Sequence, residues 1–231
     1  LGRFDDAIES YKNVVAIKPD YFDAHNNLGI VYLEAKEFDN AINHFNLAIN
    51  YKKDFAEAYN NLGTVFQEQG QIEKALKSYK KATSLDSNYA QAHNNMGILL
   101  QMLGKNDNAI SSYENAIKSR QNFASAHLNL SLIKIFFDED PQIFQMQSLL
   151  TSKETSRSEK AILCFALAKA YNDLENDKKF FEYLNEGNRL RKNELGFSYE
   201  ESEVNYNLFI KSLFQDHLSN DEITSNESSD M

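Results

Sequence analysis

Two prolines and eight glycines in 231 residues leave long stretches without a helix breaker. A chain so short of both is free to be helical over most of its length. The single cysteine, Cys164, has no partner for an internal disulfide, which suits a reducing compartment and predicts a cytoplasmic setting. No run of about 18 apolar residues occurs, so no segment reads as a membrane span. Positive charge is scarce as well: 24 Lys and Arg stand against 34 Asp and Glu, a net charge of −10. Neutralising nucleic-acid phosphates needs a basic face, so that class of partner is excluded. The chain also lacks an initiator methionine, a signal peptide and the first half of its first repeat, and it stops in a polar tail. Both ends therefore read as cuts in something longer.

What is present is a period. Apolar residues make up 42% of the chain and aromatics 12%, ample for a core. They recur every 34 residues around Asn26-Asn27-Leu28-Gly29, Asn60-Asn61-Leu62-Gly63 and Asn94-Asn95-Met96-Gly97, with a degraded copy at Leu128-Asn129-Leu130-Ser131. With Asn27 set as position 6, position 20 is Ala7, Ala41, Ala75 and Ala109. Position 24 is always aromatic: Tyr11, Phe45, Tyr79 and Tyr113. Within each unit the apolar residues form two helical faces, separated by a break such as Gln69-Gly70-Gln71. Each unit is predicted to be a helical hairpin, helix A followed by helix B. Small residues at positions 8, 20 and 27 let the backbones approach, and aromatics fill what is left. The predicted class is all-α, a solenoid of antiparallel helix pairs over residues 1–137.

This pattern resembles the tetratricopeptide repeat. It departs by placing His25, Tyr59, His93 and His127 at position 4, by keeping only Pro19 of the closing prolines, and by putting Asn106 where Phe4, Phe38 and Ile72 stand. The last change predicts a weaker dock for the fourth helix B. Six of the eight glycines belong to the repeat, so none remain to cradle a phosphate.

Past the repeats, one more helix A is expected from Ala124 to Phe137. A connector follows over residues 138–160, with Pro141 opening a short helix at Gln142–Leu150. A divergent hairpin is expected within 161–218, with Leu167, Ala168 and Tyr171 at positions 7, 8 and 11 and a helix B from Lys178 to Arg191. Phe180 takes the place of the invariant alanine, which predicts that the two helices spread or tilt. Ser198-Tyr199-Glu200-Glu201 reads as a capping box for a last helix, and residues 219–231 as a flexible linker. The stretches Phe165-Ala166-Leu167-Ala168-Lys169-Ala170-Tyr171 and Glu186-Gly187-Asn188-Arg189-Leu190-Arg191 resemble a bacterial family in which such repeats precede a sulfotransferase domain. That resemblance implies a downstream catalytic domain binding 3′-phosphoadenosine 5′-phosphosulfate through a Pro-Arg-Ser-Gly-Thr loop. It transfers no catalytic residue to this chain.

Asparagine is a poor mid-helix residue, because its side chain competes for the backbone. Its return at Asn26, Asn60 and Asn94 (position 5) and at Asn27, Asn61, Asn95 and Asn129 (position 6) therefore points to a use. The ladder resembles that of O-linked N-acetylglucosamine transferase repeats, which implies a groove holding peptide backbone. The competing reading confines these amides to bonds between helices. Glu34 and Glu68, both at position 13, are candidates for an acidic rim. His25, His93 and His127 lie a repeat or more apart and do not converge as metal ligands; they read as packing residues, while His44 and His217 have no companion ligands. Cys164 reads as a buried thiol, and Arg189, Arg191 and Lys192 as the polar end of a helix. No nucleophile–base pair, metal cluster or cofactor motif is present, so no catalysis is expected of this chain alone. The expected partners are protein or peptide segments.

Overall fold

The computed structural model describes residues 2–195, which form eleven α-helices and, among those residues, no strand. They are α1 (Gly2–Ile17), α2 (Phe22–Glu34), α3 (Phe38–Tyr51), α4 (Ala56–Glu68), α5 (Ile72–Leu85), α6 (Ala90–Met102), α7 (Asn106–Ser119), α8 (Ala124–Ile133), α9 (Pro141–Thr151), α10 (Arg157–Asp173) and α11 (Asp177–Leu195). The pairs α2/α3, α4/α5 and α6/α7 are the complete repeats; α1 packs on α2 as a lone helix B, and α8 packs on α7 as the next helix A. The expected last helix and its capping box lie outside the described residues.

One contact explains the pairing within each repeat. A Cβ on Gly29 would sit 2.7 Å from the Phe45 ring, one on Gly63 2.6 Å from Tyr79, and one on Gly97 2.5 Å from Tyr113. The position-8 glycine of helix A is thus the seat of the position-24 ring of helix B. Those three rings are at most 1% exposed, and burying each contributes roughly 2 kcal/mol. A buried tyrosine must also satisfy its hydroxyl. Tyr79 donates to Gln67 Oε1 at 2.9 Å and Tyr113 to Gln101 Oε1 at 2.8 Å, both position-12 residues. Phe45 has no hydroxyl to satisfy, and Leu33 occupies position 12 in its unit.

The hairpin turn repeats to the atom. The position-16 N–H donates to the position-11 carbonyl in Glu37–Tyr32 (2.8 Å), Gln71–Phe66 (2.7 Å) and Lys105–Leu100 (2.9 Å), a closure of the Schellman type. It requires a left-handed residue at position 15. Gly70 and Gly104 supply it at φ of 70° and 68°, and Lys36 does so at 59° without being glycine. The helices of the repeats have no side-chain N-cap. Their cap positions before helix A are the aromatic residues Tyr21, Phe55, Tyr89 and Phe123.

Asn106 is exposed at the start of α7, as its polarity demands, yet Ala109, Tyr113 and Ala116 farther along are fully buried. The weaker dock is confined to the first turn. Helix α8 corrects the sequence expectation: it ends at Ile133, not Phe137. Lys134 turns extended and forms a 2.8 Å ion pair with Asp140, which is fully buried and caps α9 by accepting from Gln142 N–H. Phe136 N–H meanwhile donates to Asp173 of α10. Helix α10 begins at Arg157 behind a complete capping box, Ser156 with Glu159.

Helix α10 packs directly against α8, and α11 pairs with α10. The turn between them has the repeat's geometry, with Glu175 left-handed at position 15 (φ 54°) and Asn176 N–H bonded to Tyr171 carbonyl at 2.9 Å. The predicted spreading is not seen at position 27. There Gly187 replaces alanine, and a Cβ on it would meet the Phe165 ring at 2.7 Å. Phe180 is accommodated in the apolar cluster around Leu163, Leu167 and Tyr171.

Candidate functional site

The asparagines form a continuous set of rungs. Asn61 Nδ2 donates to Asn26 Oδ1, Asn95 Nδ2 to Asn60 Oδ1, and Asn129 Nδ2 to Asn94 Oδ1, each at 3.0 Å. Position 6 of one helix A therefore donates to position 5 of the helix A before it. These bonds tie A to A, and α2 touches α4 and α4 touches α6.

The two positions have different surroundings. Asn26, Asn60 and Asn94 are buried, at 2%, 4% and 4% exposure, so their amides belong to packing. Asn27, Asn61, Asn95 and Asn129 are half-buried. An amide nitrogen has two protons and an amide oxygen two lone pairs, so a rung leaves position 6 with a spare donor and its oxygen. Some of that capacity is used locally. Gln91 Nε2 donates to Asn95 Oδ1 at 2.9 Å, and Asn60 reaches Asn61 Oδ1 only at 3.4 Å. Asn27 makes no side-chain hydrogen bond among the described residues.

Position 2 was missed in the sequence. Glu57 accepts from Asn26 Nδ2 at 2.9 Å, and Gln91 holds Asn95, so position 2 orients the amides on either side of it. The signal was present, since positions 2 and 6 are one helical turn apart and face the same way. Glu34 and Glu68 are exposed at the C-terminal ends of α2 and α4, without an ion pair among the described residues.

The histidines have packing roles. Nε2 of His25, His93 and His127 lies 2.9, 3.0 and 2.9 Å from the carbonyls of Pro19, Ser87 and Gln121. A carbonyl only accepts, so Nε2 carries the proton and clips each helix A to the preceding turn. His25 Nδ1 is then an acceptor, and His44 Nδ1 donates to it at 3.1 Å. Burial, His25 and Lys12 together push His44 down to about 4. Burial likewise lowers His127. His217 lies outside the described residues. Among those residues no three His, Cys, Asp or Glu side chains gather as metal ligands, and no helix is long and apolar enough to cross a membrane.

Cys164 is buried, and burial pushes its thiol up to about 12, far from a reactive thiolate. Arg189 forms a bidentate pair with Glu186 at 2.7 Å on the exposed face of α11. A cavity of about 460 Å³ lies between α9, α10 and α11, lined in part by Leu150, Cys164, Tyr183 and Arg189, and includes none of the asparagines.

Comparison with known proteins follows the same lines. Family models described as TPR repeat match residues 1–36, 31–70 and 65–104, and one described as tetratricopeptide repeat matches 90–123. No curated protein matches. Among solved structures, BtubC from P. vanneervenii aligns at a TM-score of 0.63 and 15% identity, over 86% of this chain and 92% of that one. YrrB, reported as a TPR protein with an unusual peptide-binding site, aligns at 0.55 and 17%, over 79% and 93%. MamA aligns at 0.51 and 20%, over 85% and 93%. At these identities the likeness is one of fold.

Proposed function

Since the chain belongs to the tetratricopeptide repeat family, we propose that it is a protein-interaction scaffold whose concave face takes an extended peptide segment of a partner. The position-6 amides meet the backbone of that segment. The observation that carries this reading is the division of labour between the two asparagines. Position 5 is buried and its oxygen accepts a rung at Asn26, Asn60 and Asn94, whereas position 6 is half-buried and keeps donor and acceptor capacity. A peptide backbone offers one donor and one acceptor per residue, so amides along a groove can hold it whatever its side chains. The single buried thiol agrees with work in the cytoplasm. YrrB, a structural neighbour, is a peptide binder by its description.

The test replaces Asn27, Asn61, Asn95 and Asn129 together by alanine, checks folding by circular dichroism, and compares partner capture with the parent chain. Loss of capture with the fold retained supports the reading; intact capture of every partner overturns it. The rival reading, a substrate-presenting arm of a sulfotransferase, rests on the resemblance of α10 and α11 alone, and the matched family models end at residue 123. Coding sequence past Met231 that holds a strand and a Pro-Arg-Ser-Gly-Thr loop decides for it; a stop codon there decides against it.

A further inference from the structure

Positions 2, 6, 9 and 13 are spaced by four, three and four residues, so in each helix A they share one face. In α2 the stripe reads Asp23, Asn27, Ile30 and Glu34, and in α4 it reads Glu57, Asn61, Thr64 and Glu68. In α6 it reads Gln91, Asn95, Ile98 and Met102, and in α8 Ser125, Asn129 and Leu132. Every one of these residues is half-buried or exposed, with Ile30 and Ile98 also touching the core beneath the stripe. The first two helices each carry two carboxylates on it, and the last two carry none. No lysine or arginine occurs anywhere in α2, α4, α6 or α8, and none of the four carboxylates has an ion pair among the described residues. At the uncharged end the surface turns apolar. Met102 is 66% exposed, and Ile98 and Leu132 are half-buried.

Resting on the peptide-groove reading, we infer that the groove is polarised and selects a bipartite segment. Its ligand is an extended peptide with Lys or Arg in the half that lies over α2 and α4, and apolar side chains in the half over α6 and α8. The reason is complementarity: carboxylates without ion pairs, on helices that carry no Lys or Arg, attract positive charge and repel negative, while exposed Met102 and half-buried Ile98 and Leu132 gain by covering. The span sets the length. Neighbouring helices pack about 8–10 Å apart, so three steps from α2 to α8 cover about 24–30 Å. At about 3.3 Å per extended residue, that holds roughly seven to nine residues.

The test uses fluorescein-labelled nonapeptides and the full chain. One peptide has three lysines in its first half and three leucines in its second, another has the halves exchanged, and controls carry only lysines or only leucines at those places in a serine–glycine background. Fluorescence anisotropy is read at low and at physiological salt. One of the two bipartite peptides is expected to bind at least tenfold more tightly than either control and to weaken with salt. The joint variant D23N, E34Q, E57Q and E68Q, which keeps the hydrogen-bonding shape, is expected to weaken it about tenfold, since each of the three lysines loses an exposed pair of about 0.5 kcal/mol. It leaves the leucine control unaffected. Equal binding of all four peptides, lost on changing the position-6 asparagines, overturns the polarity and leaves the backbone-reading groove standing. Unchanged affinity in the carboxylate variant also overturns the polarity. Absence of binding by every peptide removes both.

Discussion

The repeats and the α10/α11 hairpin solve one packing problem in opposite ways. In each repeat a glycine on helix A, Gly29, Gly63 or Gly97, seats an aromatic ring from helix B. In the hairpin the glycine is on helix B, Gly187, and the ring, Phe165, is on helix A. The amide rungs end at the same boundary. Where repeats pair asparagine with asparagine, the junction of α8 with α10 sets Leu128 near Ala166 within one apolar cluster. Capping differs too: no repeat helix from α2 to α8 has a side-chain cap, whereas α9 and α10 are capped by Asp140 and Ser156. An array stabilised by neighbours needs less at its helix ends than a hairpin bordering a break in the period.

The largest effect that breaks this comparison comes from filling the glycine seats. Gly63→Val should cost about 3 kcal/mol in urea unfolding, because the buried Tyr79 ring facing it has no room to retreat, and Gly187→Val about 2 kcal/mol, because the Phe165 ring facing it is only half-buried. Phe165→Leu should recover part of the Gly187→Val loss and none of the Gly63→Val loss. Equal recovery of both would show that the seats are not what separates the two regions.

Next comes the rung. Asn60→Ala removes the buried acceptor of Asn95 and should cost about 1–2 kcal/mol. Leu128→Asn should destabilise the junction on its own and be partly rescued by Ala166→Asn, which restores a donor–acceptor pair. A double variant no better than the single would mean that the junction does not share the geometry of the rungs.

A smaller effect separates the regions by pH. His44 is held neutral in the folded chain, down at about 4 against 6.5 when unfolded. A lowered value means the unfolded chain takes up the proton first, so stability is full above about pH 6.5 and falls as the pH drops toward 4. His44→Gln should flatten that slope in acid titrations followed by circular dichroism. Cys164, pushed up to about 12 and buried, should resist iodoacetamide in the native state and react only on unfolding.

The sequence displayed the repeat because its signals are local: period, glycine seats and aromatic rings all recur in register. It showed the position-6 amides for the same reason, and the loss of both Leu128 and Ala166 from the asparagine pattern marks where the ladder stops. What stayed hidden depends on distant partners. Ile135, Phe136 and Phe137 continue an apolar helical pattern, and only Lys134 meeting Asp140, with Phe136 N–H meeting Asp173, ends α8 early. Lys36 and Glu175 take a left-handed turn that glycine advertises elsewhere. The exchange of glycine and ring in the hairpin needed the α10/α11 interface to be seen.

The most direct measurement is a comparison of two adjacent asparagines. The Asn27 side chain makes no hydrogen bond among the described residues, while that of Asn26 accepts from Asn61 and donates to Glu57. Removing Asn27 should leave stability unchanged or raise it by about 0.5 kcal/mol, since alanine is the better helix former. Removing Asn26 should lower it. With a bound peptide, titration calorimetry on Asn27→Ala should show affinity reduced about fivefold, one lost hydrogen bond, in a chain at least as stable as the parent. Full affinity in that variant would contradict the claim that the open amides read the partner.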